Sequence, residues 1–130
     1  MPEVIARQVL YVEDDRINII LMEEVFRRLP DWRLECAEDG TQALDWLHGC
    51  SVQPALVLID MNLPDMNGLE LQRRLHADPR LCGLRCVALS ADDQSDQVAA
   101  ALASGFSDYW VKPIDVPRLT RALLEVLRAP

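Results

Sequence analysis

No uninterrupted apolar run in this sequence approaches the roughly 18 residues needed to cross a bilayer. The N-terminus also lacks the basic region followed by an apolar stretch that marks a secretory leader. A membrane span is therefore not expected, and the cytoplasm is the expected location. Positive charge is short as well, with 13 Lys and Arg against 21 Asp and Glu and a formal net charge of −8. No Lys/Arg cluster offsets this, so the surface should repel a phosphate backbone, and direct nucleic-acid binding is disfavoured. The four cysteines, Cys36, Cys50, Cys82 and Cys86, form neither a CxxC pair nor the paired spacing of a zinc site. They are expected to be buried or semi-buried thiols. The two histidines, His48 and His76, stand alone on predicted helices or their ends, which suits surface residues better than ligands or bases. Repeats, linkers and low-complexity stretches are absent too, so residues 1–130 are expected to form one domain with a core of about 8–127.

What is present is an ordinary globular composition, 50% hydrophobic and 26% charged, with a regular alternation of elements. Five short apolar runs are separated by helical patterns: QVLYV (8–12), RLECA (33–37), ALVLI (55–59), CVAL (86–89) and DYWV (108–111). Three of them, near 10, 57 and 88, are almost continuously hydrophobic and read as central strands, whereas the second alternates Leu34 and Cys36 with charge and reads as an edge. Ile17, Ile20, Leu21, Val25 and Leu29 recur at helical spacing in the first helix; Leu119, Ala122, Leu123, Val126 and Leu127 do so in the last. Asp115 is the expected N-cap of that last helix, with Pro117 in its first turn. Middle helices are expected at about 41–48, 67–76 and 94–103, with Gly105 as a stop. Strand-helix units joined right-handedly give an α/β fold: a three-layer α/β/α sandwich on a five-stranded parallel sheet, in the flavodoxin-like order 2-1-3-4-5.

In such a sheet ligands bind at the carboxyl ends of the strands. The first run ends in Glu13, Asp14 and Asp15, the third in Asp60, the fourth in Ser90 and the fifth in Lys112. Glu38 and Asp39 follow the edge strand and should lie to one side. Strands 1 and 3 are neighbours in this order, so Glu13, Asp14 and Asp60 converge. Two unit charges about 4 Å apart repel by roughly 4 kcal/mol at an effective dielectric near 20. A hard divalent cation relieves that repulsion, and few carboxylates, a carbonyl and waters suit Mg²⁺. For Asp15, capping the first helix is the better reading. Lys112 and Ser90 supply a cation and a hydroxyl opposite the acids. Together these groups suit a tetrahedral anion, and a carboxylate can serve as the nucleophile in phosphoryl transfer.

These residues closely resemble the receiver domains of response regulators and hybrid histidine kinases. The resemblance runs from about 8 to 127 and is carried by LYVEDD, LVLIDMNLPDMNGLEL, ALSAD and GFSDYWVKPID; the last is somewhat more similar to hybrid-kinase receivers. It implies that Asp60 is the phosphoacceptor, followed by the turn residues Leu63-Pro64 and Asn67-Gly68. It implies a Mg²⁺ cofactor held by Asp14, Asp60, the backbone carbonyl of Asn62 and, through a water, Glu13. Ser90 would hydrogen-bond the phosphoryl group, with Ala91 as the small neighbour that leaves access, and Lys112 would pair with a phosphoryl oxygen. The Lys112-Pro113 peptide would be cis. Tyr109 matches the family's aromatic switch, set against the plainer reading of a half-buried strand aromatic, while Trp110 alternates to the other side as packing. Asn62 and Asp92 would flank the phosphoryl site and set the lifetime of the acyl phosphate. The implied partner is a histidine kinase or histidine phosphotransfer protein. The surface of the fourth helix, fifth strand and fifth helix would carry the output and could pair two copies in a homodimer. Two rivals stand beside this reading. One is a binding module that keeps the fold without phosphorylation; the other is an aspartyl phosphatase, which wants a second Asp where this chain has Asn62.

Overall fold

The apolar runs become five strands and the amphipathic stretches between them five helices. The computed structural model describes residues 7–128; the ends of the expected 1–130 domain lie outside the described residues. In chain order the elements are β1 (Gln8–Val12), α1 (Arg16–Arg27), β2 (Arg33–Ala37), α2 (Gly40–Gly49), β3 (Leu56–Asp60), α3 (Gly68–Ala77), β4 (Cys86–Ser90), α4 (Ser95–Ala103), β5 (Asp108–Val111) and α5 (Val116–Arg128). All neighbouring strands are parallel, in the order β2-β1-β3-β4-β5. The expected fold class and strand order are both present, with β2 at an edge. Asp60 and Ser90 are the last residues of their strands, paired in register with Leu89 and Val111, and Ala55 falls just outside β3.

Strand alternation divides the core into two layers. Leu10, Val12, Val57, Ile59, Cys86 and Ala88 face α2, α3 and α4, packing on Ala43, Leu47, Leu71, Leu75 and Ala101. Val9, Tyr11, Leu56, Leu58, Val87 and Leu89 face α1 and α5, packing on Met22, Val25, Phe26, Leu119 and Leu123. Central strands buried on both faces explain their unbroken hydrophobicity.

Helix ends follow their capping residues. The Asp15 carboxylate accepts the backbone N–H groups of Ile17 and Asn18 at 2.9 and 3.4 Å, Asp39 caps α2 through Gln42, and Asp115 accepts the N–H of Arg118 at 3.0 Å. After α4 the chain turns at Gly105 with φ of 116°, a conformation open to glycine. A Cβ there would also lie 2.8 Å from Cε1 of His76.

Two sequence expectations need correction. Ile17 and Ile20 do not face the core; they are 69% and 53% exposed, and the buried stripe of α1 is Met22, Val25 and Phe26, continued just past the helix by Leu29. At 3.6 residues per turn Ile17 and Ile20 fall about 130° and about 170° from the centre of that stripe. Of the cysteines, only Cys86 is buried and Cys50 half-buried, whereas Cys36 and Cys82 are exposed. Cys36 sits on the edge strand, covered by one neighbour only, and Cys82 lies in the α3–β4 connection. No helix among the described residues is long and apolar enough to cross a membrane.

Candidate functional site

Three polar residues at strand ends project toward the α1/α5 layer by the same alternation that sorts the core. Glu13 lies two residues beyond Tyr11 on β1, Asp60 two beyond Leu58 on β3, and Lys112 two beyond Trp110 on β5. They meet. Lys112 Nζ donates to Glu13 Oε1 at 2.9 Å and lies 3.3 Å from Asp60 Oδ1. Glu13 is 0% exposed and Asp60 4%, so this ion cluster is largely withdrawn from water. Lys112 is the only lysine in the chain, and its peptide bond to Pro113 is cis.

Asp14 points outward but stays close, with carboxylate oxygens of Glu13, Asp14 and Asp60 all within 4.8 Å of one another. Burial, then a hydrogen bond shared with Glu13, pushes the Asp60 carboxyl up to about 6. Burial also opposes charge on Glu13, but hydrogen bonds with Asp60, Lys112 and Tyr11 outweigh it and lower its pKa. For Lys112 burial disfavours the ammonium, and the bond to Glu13 with the pull of Asp60 reverses that, giving a net rise. One lysine thus serves two buried acids beside a third exposed one, which leaves an excess of negative oxygens. Such a donor set fits a hard divalent cation.

The segment after Asp60 is held from several sides. The N–H of Asn62 donates to Asp60 Oδ1 at 3.2 Å, Asn62 bridges to Asn67, and Asn67 caps α3 through Glu70. Asp65 reaches across to α2, accepting from Gly40 N at 2.9 Å, Thr41 N at 2.9 Å and Thr41 Oγ1 at 2.7 Å. Gly68 is needed at the start of α3, because a Cβ would lie 3.0 Å from Met61 Cα and 3.2 Å from the Asp60 carbonyl oxygen.

Ser90 and Tyr109 belong to the other layer, the side of α4. Ser90 Oγ accepts the N–H of Asp92 at 3.0 Å, and the Tyr109 hydroxyl donates to the Asp92 carbonyl oxygen at 2.6 Å. Asp92 and Ala91 are exposed in the β4–α4 loop, and Trp110 packs with the α1/α5 layer. Asp39 does lie to one side, as the cap of α2. One residue escaped the sequence reading. Tyr11, fully buried, donates its hydroxyl to Glu13 Oε1 at 2.7 Å, and its place two residues before an acidic strand end was the available signal.

The sequence profile described as the response regulator receiver domain matches residues 9–124. The chain belongs to that family. The receiver-domain chain is 30% identical over 123 residues to the probable methanogenesis regulatory protein FilR2 of Methanothrix harundinacea, covering 91% of this chain and 79% of that protein. It is 34% identical over 122 residues to the DNA-binding response regulator MtrA of Mycolicibacterium paratuberculosis, where the match covers 94% of this chain and 52% of the relative. The chain therefore spans about half of MtrA. Among solved structures, the Mn(2+)-bound form of response regulator Rcp1 superposes with a TM-score of 0.78 at 26% identity, covering 92% of this chain and 91% of that one.

Proposed function

We propose that this receiver domain is a phosphorylation switch, in which Asp60 takes a phosphoryl group from a histidine kinase or histidine phosphotransfer protein with Mg²⁺ bound among the acids. The observation that carries it is Lys112 Nζ, 2.9 Å from Glu13 and 3.3 Å from Asp60, beside carboxylate oxygens within 4.8 Å. Asp14, Asp60 and the Asn62 carbonyl would hold the ion, with Glu13 acting through a water; bound there, Mg²⁺ supplies positive charge to the phosphoryl oxygens. An Asp60 carboxylate oxygen attacks the phosphorus, the bond to the donor breaks, and an acyl phosphate remains. Lys112 then pairs with one phosphoryl oxygen and the Ser90 hydroxyl donates to another.

The same hydroxyl links the site to the α4 side. Ser90 holds the Asp92 N–H, and the Asp92 carbonyl holds Tyr109. Drawing Ser90 to the phosphoryl group breaks the first of these bonds and frees Tyr109 to turn inward, which remodels the α4–β5–α5 surface used for output or for pairing two copies. Asn62 and Asp92, at the mouth of the site, would control the hydrolytic water. The chain would modify only itself, with no turnover of external substrates.

The test is intact-mass analysis after incubation with Mg²⁺ and acetyl phosphate. The wild type is expected to gain one phosphoryl mass and Asp60→Asn none. A wild type that stays unmodified would favour the phosphorylation-independent binding module.

A further inference from the structure

Tyr11 has no part in the reaction outlined above, yet it touches the pocket directly. Its phenolic oxygen lies 2.7 Å from Oε1 of Glu13, and both residues are 0% exposed. They are two apart on one strand, so alternation sends both to the α1/α5 side. Besides the bond it shares with Asp60, Glu13 accepts from three donors: the Tyr11 hydroxyl and Lys112 Nζ on Oε1, and the Asp15 N–H on Oε2 at 3.3 Å. Of these, the O–H to carboxylate contact is the shortest, in the range of strong charge-assisted bonds.

Phosphoryl transfer makes the three donors unequal. Pairing with a phosphoryl oxygen would draw Lys112 off Glu13, leaving a carboxylate that is 0% exposed with one donor fewer. A buried charge stripped of donors carries its full desolvation cost. Tyr11, fixed by its ring in the layer of Val9, Met22 and Leu58, cannot follow the lysine. We propose that Tyr11 is a positioning residue for the cation site: its hydroxyl holds the Glu13 carboxylate in place before and after Lys112 is drawn away. An aliphatic residue at this position would fill the same core but leave that task to the lysine and one weak backbone contact. The proposal rests on the phosphoacceptor reading and adds to it the control of Glu13.

Tyr11→Phe keeps the ring and removes the donor. With Mg²⁺ titrated calorimetrically into the unphosphorylated chain, this variant is expected to bind the ion about tenfold more weakly than wild type, the scale of one lost hydrogen bond to a charged group. Phosphorylation at saturating Mg²⁺ should persist. Made on a Glu13→Gln background, the same change is expected to cost no more than about twofold, because the hydroxyl then has only a neutral amide oxygen to hold and no carboxylate charge to orient. A purely structural ring would weaken both backgrounds alike. That outcome, or Tyr11→Phe affinity equal to wild type, overturns the proposal. A wild type that binds no Mg²⁺ overturns the phosphoacceptor reading beneath it, so the two failures are distinguishable. Should Tyr11→Phe not fold, the ring Cζ resonance of Tyr11 decides, since the chain has only two tyrosines. It is expected to shift on Glu13→Gln, and an unmoved resonance overturns the proposal.

Discussion

At the scale of single residues, Asp60, the proposed nucleophile, is kept in a place that disfavours its charge. Its carboxyl is pushed up to about 6 by burial and by Glu13, against about 3.9 in an unfolded chain. The folded state therefore binds the proton more tightly. The cost of the charge is absent below about pH 4 and fully present above about pH 6. Without metal, Asp60→Asn is expected to be more stable than wild type at pH 7.5, by on the order of 1–3 kcal/mol at about 1.4 kcal/mol per pKa unit, with the gain fading toward pH 4. Equal denaturation midpoints at pH 7.5 would contradict this. Glu13, Asp14, Asp60, Ser90 and Lys112 were legible because each ends an apolar run and the strand order is common to such sheets. That Glu13 takes both Tyr11 and Lys112 was not, because a tyrosine inside QVLYV reads as an ordinary strand residue. Only side-chain direction and packing disclose its partner.

Among the elements, the β3–α3 connection does the most to shape the site, and its tie to α2 through Asp65 joins residues 24 and 25 positions apart. Burial opposes charge on Asp65, but the donors from Gly40 and Thr41 together outweigh it and hold its pKa below the usual carboxylate value. Asp65→Ala is expected to cost about 1 kcal/mol, the usual scale of a lost N-terminal cap, and to weaken Mg²⁺ binding as Asn62 loses its support. Urea denaturation and calorimetric titration check the two effects, and an unchanged ion affinity would separate the tether from the site. Long-range ties of this kind leave no local pattern, and nothing in the sequence singles Asp65 out. Local chemistry was easier to read. Asp15, Asp115 and Gly105 mark helix ends through caps that need only near neighbours, whereas the buried stripe of α1 was misjudged because Ile17 and Ile20 are apolar without facing the sheet. α4 has no side-chain cap bond and only Ala101 buried, in keeping with the rearrangement proposed for this surface.

For the molecule as a whole, the fold was legible because a parallel sheet covered on both faces demands continuous apolar strands and helices between them. The two layers of core in turn fix which strand ends meet: Glu13, Asp60 and Lys112 on one side, Ser90 and Tyr109 on the other. The exposure of Cys36 and Cys82 was not legible, since it depends on which neighbour covers an edge strand and a loop. The central claim is that this assembly makes Asp60, and no other acid, the acceptor. The most direct test is site mapping: incubate the chain with Mg²⁺ and acetyl phosphate, reduce the acyl phosphate with borohydride, and sequence the peptides by mass spectrometry. The account predicts reduction at Asp60 alone. Modification at Asp14 or Glu13, or none at all, would contradict it.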